Sequence, residues 1–267
     1  MAITSRQNAI VPQYRAAARG DADGMLLLDG VHLIADAVRA GVKISHVAVT
    51  SASQALPEVA ALLATLRRTR IDTVAAPVMD ALSPVRSSTG IVALAERPAP
   101  NHDRLYAGAA PLVVVAVDVQ DPGNVGAIAR VAEAGGATGL IAAGASADPF
   151  GWKALRGSMG SSLRLPVVSA SAAEAIADAR RHDCRIVAAV PRDGRTLYDA
   201  QLGGPVAILI GGEGAGLPPA LCDSADERVT IPMAPPVESL NTAVAAALVV
   251  YEARRQRAHD GHAVSRR

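Results

Sequence analysis

From residue 111 to 117 the chain runs PLVVVAV without a polar interruption and then meets Asp118. An unbroken apolar run of this length is the mark of a strand buried on both faces of a parallel sheet. The same pattern returns at 137–144 (ATGLIAAG), 165–169 (LPVVS), 185–190 (RIVAAV) and 205–212 (PVAILIGG). Between these runs the apolar positions take a helical period, over about 126–134, 149–158 and 171–183. A last helix is predicted from Ser239 to about Arg257, with the tail beyond it unstructured. Strand and helix in alternation predict an α/β domain with a mostly parallel sheet and helices on both faces.

The first hundred residues follow a smaller plan. An opening helix precedes the apolar run Met25–Leu28, which stops at Asp29-Gly30. Residues 31–41 place Leu33, Ile34, Ala37 and Val38 on one helical face and end at Gly41, a natural C-cap. Residues 44–50 alternate as a strand, 57–68 form a helix striped by Leu62, Leu63 and Leu66, and 71–76 and 90–96 are further strands. This predicts a small α/β sandwich over 1–97. Residues 98–110 mix Pro, Gly and charge without periodicity and are expected to link it to a larger domain over 111–267.

Composition narrows the classes. Half of the 267 residues are hydrophobic and 19% are charged, which excludes a disordered chain. Aromatics are 2%, so the core is aliphatic. No apolar run is long enough for a membrane-spanning helix, and the N-terminus carries no apolar signal core. Cys184 and Cys222 fit neither a disulfide framework nor a metal motif, and His32, His46 and His182 share no metal spacing. A cytoplasmic protein without membrane or metal is expected. The net charge is +1, so no strongly basic footprint advertises a nucleic acid. Lys43 and Lys153 are nonetheless the two lysines among 26 basic residues, and arginine suits bidentate phosphate contacts. A genome-wide bias of arginine over lysine, with matching alanine richness, is the favoured explanation.

Three segments carry chemistry. In VDVQDPGNVGAIARVAEAGG (117–136) a strand ends in an Asp-Pro-Gly-Asn turn and a helix begins. Ligands of open α/β sheets sit beyond the carboxyl ends of the strands, where Asn124 falls. Arg130 follows nearly two helical turns later. From local features alone a helix cap with a solvated arginine is the favoured reading, since glycine-rich strand-to-helix turns are common. It is neither a Walker loop nor a GxGxxG turn. In ILIGGEGAGLPP (208–219) four glycines surround Glu213 after a strand. Glycine allows close backbone approach to a ligand, and Glu213 disfavours phosphate there. A sharp turn without a ligand is the other reading. In VTIPMAPPVESLNTAVAAALVVYEARR (229–255) a short strand leads to Ser239, a plausible helix cap, and to Asn241. The helix after it bears Leu240, Val244, Ala247, Leu248 and Tyr251 on one stripe, suited to the sheet or to a second subunit.

Taken together, DPGNVGAIAR, LIGGEGAGL and IPMAPPVESLNTAVAAAL resemble, in order and spacing, the three motifs of the SpoU/TrmH family of RNA ribose 2′-O-methyltransferases, of the SPOUT class. DPFGWKALRGSMGSSLRLPV (148–167) is similar to the family's stretch between the first two motifs, and the likeness covers about 111–257. Residues 1–97 resemble, more weakly, the family's small RNA-binding domain. The resemblance implies a deep trefoil knot in the C-terminal domain, S-adenosyl-L-methionine as cofactor, and a homodimer through that domain. It implies cofactor binding at Gly211, Gly212, Ile231, Met233 and Leu240, and a catalytic set of Asn124, Arg130, Glu213, Ser239 and Asn241. Arg130 would act at the ribose 2′-hydroxyl, as base or as electrostatic stabiliser. Free arginine keeps its proton at neutral pH, which favours the second role.

The implied substrate is structured RNA, with ribosomal RNA favoured over transfer RNA. Two alternatives are a transfer RNA 2′-O-methyltransferase and a non-catalytic RNA-binding protein of the same fold. The latter predicts loss of Arg130 or of the Ser239/Asn241 pair, and all three are present. A nicotinamide enzyme predicts the GxGxxG turn that is missing. In the first domain Arg15, Arg19, Lys43 and Arg86 are candidate RNA contacts. Phe150 and Trp152 could stack on a base, but packing beside the linker strand is the favoured expectation.

Overall fold

A computed structural model describes residues 2–264, with side chains to residue 258. In chain order the elements are α1 (Ile10–Arg19), β1 (Met25–Asp29), α2 (Val31–Arg39), β2 (Ile44–Thr50), α3 (Ser51–Gln54), α4 (Pro57–Thr65), β3 (Arg70–Val74), α5 (Ala76–Leu82) and β4 (Ile91–Glu96). There follow α6 (His102–Leu105), β5 (Leu112–Val117), α7 (Pro122–Gly135), β6 (Gly139–Ala143), α8 (Trp152–Ser158), α9 (Ser161–Arg164), β7 (Val167–Ala170) and α10 (Ala172–Arg181). The last are β8 (Arg185–Ala189), β9 (Arg195–Thr196), β10 (Val206–Gly211), α11 (Pro219–Ser224), β11 (Glu227–Thr230) and α12 (Thr242–Val264). The chain divides into two compact units, Met1–Ala99 with Phe150–Arg164, and Pro100–Pro149 with Leu165–Arg267.

In the first unit the strand order is β1-β4-β2-β3. β4 runs antiparallel to both neighbours, and β2 and β3 are parallel. Tyr14, Leu27, Val78, Met79, Leu82 and Val92 centre its core, with α1 and α5 laid against the sheet. Segment 150–164, expected in the C-terminal domain, belongs here. Trp152 packs on this core and Phe150 is buried beneath the Arg97 guanidinium, so both aromatics are packing residues.

In the second unit all pairings are parallel, in the order β7-β6-β5-β10-β8-β11-β9. Val113, Val115 and Val117 of β5 pack with Ile141, Ala175, Ala179 and Leu209 on one face. Leu112, Val114 and Ala116 alternate to the other face and are equally buried, so both faces are covered. There α7 and α12 pack along each other and on β5, β6 and β10. The supposed linker contributes to this unit. Asn101 caps α6, Leu105 is buried, and a Cβ on Gly139 would lie 2.1 Å from Leu105 Cδ2.

Two helix boundaries differ from expectation. α7 begins at Pro122 rather than at residue 126, because Asp121 accepts a hydrogen bond from the Asn124 N–H (2.9 Å) and proline fits the first helical position. α12 begins at Thr242 rather than Ser239 and continues to Val264, past the expected end near Arg257. Residues 265–267 of the expected tail lie outside the described residues.

Candidate active site

β5 and β10 are neighbours in register, with Val117 opposite Gly211. The segments that leave their carboxyl ends therefore start side by side. One enters the Asp121 turn and α7, and the other enters the glycine loop. The Asn124 side-chain N–H donates to Glu213 Oε1 across this junction. The Asn124 carbonyl accepts from Asn241 Nδ2 at 3.2 Å. One amide, used at both ends, joins three segments into the series Glu213–Asn124–Asn241. This fixes which end of the Asn124 amide faces each neighbour.

Asn241 also holds the start of α12. Its Oδ1 accepts from the Ala243 N–H (2.9 Å) and the Val244 N–H (3.3 Å), the bonds of an N-cap. Ser239 is therefore not the cap. Thr242, buried, donates its hydroxyl to the Gly211 carbonyl (2.7 Å), tying α12 to the end of β10.

The glycine loop folds back on itself, with Gly212 bridged to Gly216. A Cβ on Gly211 would lie 2.4 Å from the Gly216 carbonyl carbon, and one on Gly212 would lie 2.1 Å from the Asp118 carbonyl oxygen. Both neighbours are backbone and neither can swing aside, so only glycine fits. Gly214 and Gly216 take left-handed φ of 84° and 66°.

Beside this loop lies a cavity of about 440 Å³. Gly211, Gly212 and Glu213 form one wall, and Ile231, Met233, Ser239 and Leu240 form another. Its size and largely apolar lining with a few polar groups suit one small molecule. Arg192 and Glu213 are the charged side chains among its described lining residues. Arg192 and Thr242 escaped the sequence reasoning. Arg192 sits in a Pro-Arg-Asp-Gly turn, and its signal is its place just after β8, the neighbour of β10. Arg130 stands apart. It is exposed on α7, outside both the cavity lining and the Glu213–Asn124–Asn241 series, and it has no partner among the described residues. Among those residues no group of His, Cys, Asp or Glu is placed to hold a metal ion, and no helix is long and apolar enough to cross a membrane.

Comparison with known proteins identifies the family. Residues 111–251 match the family model described as the SpoU rRNA Methylase family. An uncharacterized tRNA/rRNA methyltransferase of Synechocystis is 33% identical over 263 residues, 95% of this chain and 93% of that protein. A 23S rRNA (uridine(2479)-2′-O)-methyltransferase of Streptomyces viridochromogenes is 39% identical over 173 residues, 62% of this chain and 60% of that protein. The crystal structure of the SpoU methyltransferase AviRb from the same organism, in complex with AdoMet, superposes with a TM-score of 0.85 at 33% identity, covering 94% of this chain and 99% of that one. With its glycine-walled cavity and the asparagine series beside it, the chain belongs to the SpoU rRNA methylase family.

Proposed function

We propose that this protein transfers a methyl group from S-adenosyl-L-methionine to a ribose 2′-oxygen of ribosomal RNA. The observation that carries the proposal is the junction of the glycine-walled cavity with the Glu213–Asn124–Asn241 series at the carboxyl ends of β5 and β10. The residues present fit the cofactor. Gly211 and Gly212 leave no room for side chains, so backbone walls the cavity, and Glu213 is compatible with a cationic sulfonium. Gly211, Gly212, Ile231, Met233 and Leu240 would hold it. When bound, the cofactor supplies an activated methyl group open to in-line displacement.

The chain's own residues then position an oxygen and manage charge. Asn124 is fixed at both ends of its amide and presents a rigid edge to the ribose. Ser239 adds a hydroxyl at the cavity wall, where it can meet ribose or cofactor. Arg130 offers a guanidinium without a partner among the described residues. It would bind the phosphate next to the target ribose and stabilise negative charge on the 2′-oxygen as its proton leaves for solvent.

The same proposal assigns the first unit to RNA binding and makes β10, the glycine loop and α12 part of a trefoil knot. The close backbone approach of Gly212 to Asp118 and the Thr242–Gly211 bond support the knot. It assigns the exposed stripe Val244, Leu248 and Tyr251 to a homodimer interface. A ribosomal substrate supports a cytoplasmic location.

The test is transfer from labelled S-adenosyl-L-methionine to total RNA from cells lacking the gene, followed by size fractionation and alkaline hydrolysis. Label in one large ribosomal RNA, with a single alkali-resistant step, is the expected result. Label confined to the small fraction would reassign the substrate to transfer RNA. No label and no calorimetric cofactor binding would overturn the enzyme assignment.

A further inference from the structure

Within the first unit, Arg6, Gln7, Val11, Pro12, Arg15 and Arg19 line a cavity of about 260 Å³ along α1. Three of the six are arginines and none is acidic. Some cations of the unit are neutralised locally: Lys43 pairs with Glu96, Arg39 with Asp36, and Arg70 with Asp72 at 2.8 Å. Arg6 and Arg15 have no carboxylate partner among the described residues. Their Nε atoms donate instead to backbone carbonyls of α5, Arg6 to Pro77 at 2.7 Å and Arg15 to Ala81 at 3.2 Å. Each guanidinium is thus anchored by one N–H, and its terminal nitrogens have no acceptor among the described residues.

Arg19 completes the groove. Its pairing with Asp21 is exposed, at 64% and 59% for the two side chains, and such a pair yields readily to a better anion. Arg15 and Arg19 are also one turn apart on the same helix, a like-charge spacing that destabilises an isolated helix. Anchored, unneutralised guanidiniums around a groove make a receptor for consecutive phosphates, since each terminal pair of nitrogens can take a phosphate oxygen pair.

We infer that the groove of Arg6, Arg15 and Arg19 on α1 binds the phosphodiester backbone of the RNA substrate, outside the methyl-transfer site. This rests on the RNA reading above and adds to it the place in the first unit where RNA is held. Because the contacts are to phosphate, they supply affinity and orientation without sequence preference. Of the cations expected to touch RNA, Arg15 and Arg19 line this groove, whereas Lys43 and Arg86 are not among its lining residues.

The test measures binding of an unmodified 23S ribosomal RNA transcript at several salt concentrations. The proteins are the full chain, the R6Q/R15Q double variant, R6K/R15K, and K43Q as a control. Two lost phosphate contacts should lower the slope of log affinity against log salt by about 1.4 to 1.8 in R6Q/R15Q. Affinity should weaken by about tenfold or more near 0.1 M salt. R6K/R15K should keep most of the slope and K43Q all of it. Unaltered cofactor binding and melting temperature in R6Q/R15Q would show that the fold is intact. An unchanged slope in R6Q/R15Q, or an equal drop in K43Q, would overturn the groove while leaving the enzyme assignment standing. Failure of the full chain to bind the transcript would overturn the RNA reading and the groove with it.

Discussion

Asn241 shows how much one side chain can carry. Its Oδ1 caps α12 and its Nδ2 grips Asn124. The two duties separate by substitution. Asn241→Asp keeps an excellent cap but loses the donor, so thermal stability should hold while methyl transfer falls. Asn241→Ala should lose transfer and, in addition, about 1 kcal/mol of stability in denaturant titration. Arg130→Ala makes the opposite contrast, since nothing in the fold leans on that side chain. Its melting temperature should match the parent, and transfer to ribosomal RNA should drop about 100-fold or more, as when a single stabilising donor is removed. Near-normal turnover would remove Arg130 from the mechanism. The placement of Asn124, Glu213 and Asn241 where strands end and helices begin was legible, but their hydrogen-bonded series was not. Nor was Thr242. A threonine after an asparagine looks like any helical residue until its hydroxyl is seen on the Gly211 carbonyl.

Among the elements, long apolar runs were read closely. Residues 44–50 are β2, and 205–212 contain β10 with one residue to spare at each end. The short helices α3, α5, α6, α9 and α11 were missed, because four to seven residues are too few to display a helical period. In α5 the proline at its second position also masks the helix. α12 is the informative element. Ala243, Ala246, Val249, Val250 and Ala253 are buried inside the unit, while Val244, Leu248 and Tyr251 are exposed on the other side. Helical spacing alone could not say which stripe faced inward. A double substitution of Leu248 and Tyr251 to Glu leaves the inner face intact. It should convert a dimer to folded monomers in analytical ultracentrifugation, and a persisting dimer would move the interface elsewhere. The inner face is tight. A Cβ on Gly135 would lie 2.1 Å from Val250 Cγ1, so Gly135→Ala should cost about 1–3 kcal/mol. Val250→Ala in the same chain should recover part of that loss.

Across the whole molecule, reading in chain order could not anticipate that segment 150–164 returns to the first unit, since nothing local marks that return. Chain order likewise hid His46, an unremarkable strand histidine in sequence. In the fold it is buried, edge-on to Tyr14, with Nε2 3.1 Å from Asp72. Burial holds its pKa below the ordinary 6.5, outweighing the opposing pull of Asp72. The folded state therefore takes up this proton less readily than the unfolded chain. The stability contributed by neutral His46 is present above pH 6.5 and is lost as pH falls below it toward the folded pKa. The melting temperature should decline across that window, and His46→Gln should flatten the decline. An unchanged profile would show that another group titrates.

The site's hydrogen-bonded series spans 89 residues between Asn124 and Glu213 and 117 between Asn124 and Asn241. Translation delivers these segments in that order. A nascent chain that has emerged only through the glycine loop owns one wall of the cavity, but neither Leu240 nor the Thr242 anchor. If this cavity holds the cofactor as proposed, its capture follows the start of α12, and the cofactor stabilises only chains that have passed that checkpoint. Binding then reports a completed site, so shorter fragments are left open to proteases while chains with the full site are protected.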